Sequence, residues 1–131
     1  MRANPLGVLA THSQNRGVQA ALMSFAVTDD GELIVDTEET SRKADNLLAD
    51  PRVAAVIGTG DESLQVECHA RVVSGDEREK YEQIFDEQLP DAHRVAPEES
   101  MFVVLRPHWL RYYDATGSTA RIVQGRQVWM C

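Results

Sequence analysis

Residues 36–56 read DTEETSRKADNLLADPRVAAV and place a short helix between two strand-like segments. Thr40 or Ser41 is a suitable N-cap, because a hydroxyl accepts a hydrogen bond from the amides of a first helical turn. Pro51 ends the helix, since the residue before a proline avoids helical backbone angles. The i, i+3, i+4 spacing predicts one apolar face, made of Ala44, Leu47 and Leu48.

Two cations stand in the first turn of this helix, although the chain carries a net charge of -8. Carboxylates are the usual choice there, because a helix N-terminus already has partial positive charge. The free amides of the first turn, the Ser41 hydroxyl and the side chains of Arg42 and Lys43 together make an anion site. Such a group of donors is suited to a bound phosphate. A solvated turn, with its charges offset by Glu38 and Glu39, stays the alternative.

Strand-like runs flank this stretch on both sides: residues 7–13, 18–27 and 32–37 before it, and 52–60, 63–74, 101–107 and 108–115 after it. Asp30-Gly31 between two apolar runs favours a hairpin turn. Residues 63–74 alternate apolar with polar side chains, as a half-buried strand does. Residues 120–130 are a candidate for one more edge strand.

A second helix is predicted after residue 74. Ser74 and Glu77 form an S-x-x-E capping box, and Pro90 ends the helix. Its apolar face consists of Tyr81, Ile84, Phe85 and Leu89. Residues 90–99 read as a loop.

Six or seven strands and two helices without βαβ alternation predict a mainly β (α+β) fold, an antiparallel barrel with helices at its rim. The length of 131 residues fits a single domain covering residues 1–131. A barrel this small encloses no large ligand. A ligand is therefore expected on the outside or between subunits.

The composition excludes several classes of protein. The pI of about 4.9 argues against nucleic acid as a partner. The sequence contains no apolar run long enough to span a membrane and no signal peptide, so we expect a cytoplasmic protein. The spacing of Cys and His residues indicates no metal site. Cys68 is most simply a small buried residue.

The order of these segments resembles the pyridoxamine 5'-phosphate oxidase family of flavin-binding split barrels. The most specific motifs are TSRKADNLLADPRVAAVIG (residues 40–58) and SLQVECHARVVS (residues 63–74). Residues 7–27 match the opening hairpin of the family, and residues 102–115 match the closing strands of its small bacterial members. The resemblance runs from about residue 7 to residue 115 and covers most of the chain.

The resemblance implies a homodimer that binds flavin mononucleotide (FMN) at the subunit interface. Residues that match cofactor positions of the family are Thr37, Ser41, Arg42 and Lys43 on the phosphate and ribityl side, Gln65 at the ring edge, and Trp109 in the same cleft. An arginine fork and a lysine point charge suit phosphate oxygens. The amide of Gln65 offers both a donor and an acceptor.

The chain departs from the family pattern in three ways. The classical oxidase has two basic residues on the strand before the DDG turn, whereas residues 20–25, AALMSF, contain none. The helix that usually precedes the first strand has no counterpart, and the arginine-rich substrate signature near the C-terminus is missing. Pyridoxamine phosphate oxidation itself is therefore not expected.

Three interpretations follow. The first is an FMN-dependent oxidoreductase that acts on a small molecule, with a small substrate or a nicotinamide donor on the exposed ring face. The second keeps the fold but binds a deazaflavin or haem. The third is a non-enzymatic flavin carrier, sensor or dimeric scaffold. No residue is predicted as a catalytic acid or base, because the cofactor would supply the chemistry.

Overall fold

The computed structural model describes residues 6–59, 61–91, 98–115 and 121–126. The elements in chain order are β1 (Leu6–Ser13), β2 (Gly17–Ser24), β3 (Ala26–Val27), β4 (Leu33–Glu38), α1 (Arg42–Ala49), β5 (Arg52–Thr59), β6 (Glu62–Val72), α2 (Gly75–Gln88), β7 (Ser100–Asp114) and β8 (Arg121–Arg126). None of the helices in these ranges is long and apolar enough to cross a membrane.

The strands form one antiparallel sheet in the order β2-β1-β5-β6-β7-β4-β3, with β8 paired to β7. The long strand β7 divides the sheet: its first part pairs with β4 and its second part with β8, while β6 runs along both parts. The predicted split barrel is confirmed. The described strands number eight, or seven when β2 and β3 are counted as the single strand that the sequence predicts.

Two apolar clusters hold the molecule together. The larger one fills the concave side of the sheet, where Leu9, Ile57, Val66 and Val103 are almost fully buried. The smaller one lies between α2 and the opposite side of β4 and β7. There the Phe85 and Phe102 rings meet edge to face at 5.6 Å. This arrangement leaves the convex side of β2, β1, β5 and β6 uncovered by any described helix.

The predicted strand over residues 18–27 is wrong in one respect, because the chain changes partner in its middle. Ser24 still pairs with Leu6 of β1, whereas Ala26 pairs with Ile34 of β4. Phe25 lies between the two pairings and is 2% exposed. Burying this ring turns the chain from one part of the sheet to the other.

The two predicted strands around Pro107 are a single strand. Glu67 pairs with Trp109 and Cys68 with Pro107, so His108 is an extra residue on β7 and forms a β-bulge. A proline lacks an amide donor and is tolerated at a bulge, where the ladder is already interrupted. The strand therefore bends at this point and continues.

The helix ends are partly as predicted. Ser41 is the N-cap of α1, and its hydroxyl accepts a hydrogen bond from the Ala44 amide at 3.2 Å. Ser74 is the N-cap of α2, but its side chain makes no cap hydrogen bond, so the predicted capping box does not form. Glu77 instead accepts a hydrogen bond from Arg71 of β6 at 3.2 Å.

The predicted hairpin turn is present, since Gly31 has a φ of 86°, which a glycine adopts without strain. The predicted edge strand in the tail is also present as β8. Most of the predicted loop over residues 90–99 lies outside the described residues.

Candidate functional site

The first part of the candidate site lies where β4 ends and α1 begins. Thr37 is 2% exposed, and its Oγ1 atom lies 3.4 Å from the Oγ atom of Ser41. Both hydroxyls therefore point to the N-terminal end of α1. The amides of the first turn lie at the same end and have no partner within the helix.

Arg42 and Lys43 follow directly in the first turn of α1. Neither side chain forms an ion pair or hydrogen bond with any of the described residues. The acidic residue of this turn, Asp45, is engaged elsewhere, because its carboxylate lies 3.6 Å from Arg16. The site thus combines two hydroxyls, free amides and two uncompensated cations, a donor set that fits a phosphate group.

A buried amide fixes the position of α1. Asn46 is 0% exposed; it accepts a hydrogen bond from Ser13 at 2.9 Å and donates to Thr11 at 3.2 Å. Its amide also reaches the carbonyl of Gly17 at 3.4 Å. These bonds tie the helix to the β1–β2 hairpin and so hold its N-terminus in place.

The buried face that the sequence predicts for this helix is partly wrong. Ala44 and Leu47 are buried as predicted, but Leu48 is 63% exposed and Asn46 takes an inside position. An apolar periodicity cannot reveal a buried amide whose partners come from another part of the chain.

The second part of the candidate site lies on β6 and β7. Gln65 pairs with Arg111 and Glu67 with Trp109, and directly opposite residues share one face of a sheet. Gln65 is exposed on the convex side, and Trp109 is half-buried. The predicted pair therefore lies on one surface, two positions apart along the strands.

The two parts are far apart within one chain. Thr37 pairs with Met101, and Trp109 lies eight positions farther along β7. Eight residues of strand span roughly 25 Å. The structure thus places Thr37 and Ser41 next to Arg42 and Lys43. It also places Gln65 near Trp109. Within one chain these two groups of residues lie apart.

Exposed apolar side chains surround the second part. Leu22, Val8 and Val56 are cross-strand neighbours on β2, β1 and β5, with exposures of 71%, 39% and 47%. Val18, also on β2, is 82% exposed. We call this surface the convex apolar face. It groups four exposed apolar side chains, whereas ordinary surfaces carry such side chains singly.

Sequence reasoning missed a cavity of about 350 Å³ on the same convex side. Its lining includes four large polar side chains from four strands: His12, Arg52, Glu67 and His108. The His108 ring lies 4.9 Å from the ring of His69. No local sequence motif contains these residues, so only the strand register shows that they line one cavity.

An ion pair lies at the edge of this cavity. Two nitrogens of Arg52 donate to the carboxylate of Asp50, at 2.8 and 3.1 Å, and His12 Nε2 lies 3.4 Å from it. The hydrogen bonds from Arg52 hold the pKa of Asp50 far below its usual range. Asp50 is thus ionised at any pH near neutrality and compensates the charge of Arg52.

Cys68 lines the floor of the cavity without offering a reactive thiolate. Its burial, with a smaller effect from the charge of Glu67, raises the pKa of the thiol to about 12. The thiol is therefore protonated at physiological pH. In the described part of the chain, His, Cys, Asp and Glu side chains form no group that could hold a metal ion.

These features define a class: an antiparallel split barrel whose sheet edge carries a helix N-terminus with two hydroxyls and two free cations. A family model described as pyridoxamine 5'-phosphate oxidase matches residues 1–114. The chain therefore belongs to the pyridoxamine 5'-phosphate oxidase family.

Solved structures share this fold at low sequence identity. A haem-binding protein from Mycobacterium smegmatis matches with a TM-score of 0.78 and 17% identity, over 94% of this chain and 53% of that one. The protein Atu2129 from Agrobacterium tumefaciens matches with a TM-score of 0.74 and 18% identity, over 83% and 51%. The chain thus spans about half the length of these two proteins.

A third structure matches over most of both chains. It is a pyridoxamine 5'-phosphate oxidase-related, FMN-binding protein from Nostoc punctiforme, with a TM-score of 0.68 and 12% identity, over 95% of this chain and 87% of that one. A search of curated proteins finds no significant match.

Proposed function

We propose that this protein binds FMN between the two subunits of a homodimer and acts as a cytoplasmic oxidoreductase on a small molecule. The observation that carries the proposal is the cluster at the start of α1, where Arg42 and Lys43 lack any ion-pair partner among the described residues. An unpaired pair of cations beside two hydroxyls is costly unless an anion joins it. The phosphate of FMN is such an anion.

Each side chain of the candidate site has its own role in binding FMN. Arg42 binds phosphate oxygens as a planar fork and Lys43 as a point charge. Thr37 and Ser41 supply hydroxyls, and Gln65 offers a donor and an acceptor to a ring edge. FMN, when bound, supplies hydride transfer to or from a small substrate or a nicotinamide donor.

The separation of the two parts of the site supports the proposed homodimer. Thr37 of the first group and Trp109 of the second are separated by eight positions along β7, roughly 25 Å of strand. A second subunit that covers the convex apolar face brings its own group at α1 toward Gln65 and Trp109 of the first. One cofactor then contacts both chains.

Oxidation of pyridoxamine phosphate is not part of the proposal. Residues 20–25 on β2 and the following turn carry no basic side chain, whereas the classical oxidase holds its phosphate with two. Each lost charge-assisted contact weakens binding by about 1.5–3 kcal/mol. The affinity for FMN is accordingly expected to be modest.

A second candidate is haem, or a deazaflavin, in place of FMN. The similarity in fold to the haem-binding protein from Mycobacterium smegmatis favours haem, as do His12, His69 and His108 on the convex side. His12 lies at the C-terminal end of α1, beside Asp50, and so away from the two cations. Under either ligand a non-enzymatic carrier remains the third candidate.

The test is retention of FMN by a double variant, Arg42→Ala with Lys43→Ala. The protein is mixed with excess FMN, passed through a desalting column, and its visible spectrum is recorded. We expect about one FMN per wild-type subunit and an affinity lower by at least about 150-fold in the variant, the loss of two charge-assisted contacts.

The matched control removes a cation elsewhere, Lys80→Ala on α2, and should retain FMN like the wild type. Circular dichroism verifies that both variants fold. A double variant that binds FMN as well as the wild type would show that the cluster at α1 is not the phosphate site. If only haem or a deazaflavin is retained, the second candidate replaces the first.

A further inference from the structure

Arg111 is a positive charge in the second part of the candidate site. It lies on β7, where it pairs with Gln65 of β6 and stands two positions from Trp109. Residues two positions apart on a strand project to the same face, and so do directly opposite residues of neighbouring strands. Arg111 therefore shares the convex side of the sheet with Gln65 and Trp109, the two candidate cofactor residues of this part.

The guanidinium of Arg111 lacks a counter-ion. The residue is half-buried, yet its side chain forms no ion pair or hydrogen bond with the part of the chain that the structure describes. Glu67 carries a carboxylate at the diagonal position of the same face, but no ion pair joins it to Arg111. Arg52 of β5 and Arg71 of β6, by contrast, each bind a carboxylate.

The proposed dimer makes the missing counter-ion costly. The row that contains Arg111 and Gln65 continues on β5 with Val56, one of the exposed side chains of the convex apolar face. A subunit that covers this face removes water from the guanidinium. A charge that leaves water without a partner destabilises the complex. An anionic group is therefore expected against Arg111 in the dimer.

We propose that Arg111 is the counter-ion of the reduced form of FMN, a role that rests on the proposed function. Two electrons and one proton convert the neutral ring of oxidised FMN into an anionic ring, with its charge at N1 and the neighbouring C2 carbonyl; protein charges near N1 tune a flavin in this way. Gln65 binds both forms as a neutral amide. Arg111 is thus the residue that makes the protein prefer the reduced form.

The experiment titrates FMN-loaded protein with dithionite, without oxygen and with a reference dye, at about pH 8, where the reduced ring is anionic. The midpoint potential relative to free FMN gives the ratio of the two affinities. Arg111→Gln should weaken the binding of reduced FMN about tenfold more than that of oxidised FMN, the difference between a charged and a neutral acceptor. For a two-electron couple the midpoint potential of the variant is then lower by about 30 mV.

Two further variants test the charge itself. Arg111→Lys keeps a cation and should keep most of the wild-type potential, whereas Lys80→Gln removes the same charge from an exposed position on α2 and should leave the potential unchanged. A wild-type potential in Arg111→Gln overturns the proposal, and so does an equal lowering by Lys80→Gln. Dissociation of both Arg111→Gln and Glu67→Gln into monomers would overturn it in favour of an ion pair with the partner subunit's Glu67.

Binding of FMN by the wild type separates this inference from the proposed function. A protein that retains FMN, but with a midpoint potential that does not depend on Arg111, overturns the role of Arg111 alone. A wild type that binds neither the oxidised nor the reduced form overturns the proposed function, and the role of Arg111 with it.

Discussion

At the scale of single residues, the pKa of the Cys68 thiol differs clearly between the folded and the unfolded chain. Burial raises the pKa of its thiol from 9.0 to about 12. The thiolate therefore forms more readily in the unfolded chain. The contribution to stability is complete below pH 9 and is lost as the pH rises toward 12.

This loss of stability with rising pH gives a prediction for Cys68→Ala. Above about pH 9 the wild type should lose up to about 1.4 kcal/mol of unfolding free energy per pH unit through this group. The variant should lack that slope, although it starts lower by about 1–2 kcal/mol because of the missing sulfur atom. Urea denaturation between about pH 8 and pH 10.5 measures the difference. Parallel pH dependences of the two proteins would contradict the prediction.

At the scale of elements, α1 is held by its buried amide and not by an apolar stripe alone. Asn46 bonds to Thr11, Ser13 and the carbonyl of Gly17, all in the β1–β2 hairpin. The helix has only eight residues and would be marginal by itself. Its packing on the hairpin therefore decides where its N-terminus lies.

We expect Asn46→Ala to reduce the unfolding free energy by about 2–3 kcal/mol, because it removes a hydrogen-bond partner from each of two buried hydroxyls, those of Thr11 and Ser13. Leu48→Ala is the matched control on the same helix; Leu48 is 63% exposed, and its loss should change stability by less than about 0.5 kcal/mol. Urea denaturation of both variants provides the test. Equal destabilisation would show that the amide does not anchor α1.

The ends of helices and strands also show where local sequence patterns predict the wrong structure. Pro107 looks like a break between two strands, but the bulge at His108 accommodates it within β7. Ser74 and Glu77 have the spacing of a capping box, but Arg71 of a neighbouring strand binds Glu77. In both cases a partner outside the local motif decides the local structure.

At the scale of the whole molecule, the convex apolar face carries the proposed subunit interface. The double variant Leu22→Lys with Val56→Lys adds two like charges to this face. Both side chains are exposed, at 71% and 47%, so the subunit itself should stay folded. We expect the wild type to be a dimer and the variant a monomer that no longer retains FMN.

Light scattering coupled to size exclusion measures the mass of both proteins. The control is Val72→Lys, which changes another exposed side chain, 41% exposed, near the end of β6 and away from this face. It should remain dimeric. A monomeric wild type that retains FMN would contradict an interface site, and so would a charged variant that stays dimeric.

The sequence by itself determined the fold class and the cation cluster, because both depend on contiguous residues. The alternation of β6, the Asp30-Gly31 turn and the cap at Ser41 act through the local backbone, and Arg42 and Lys43 follow directly after the cap. Only the tertiary structure decided which face of α1 is buried, how far Thr37 lies from Trp109, and that His12, Glu67 and His108 share a cavity. These depend on strand register, which joins residues that no local pattern connects.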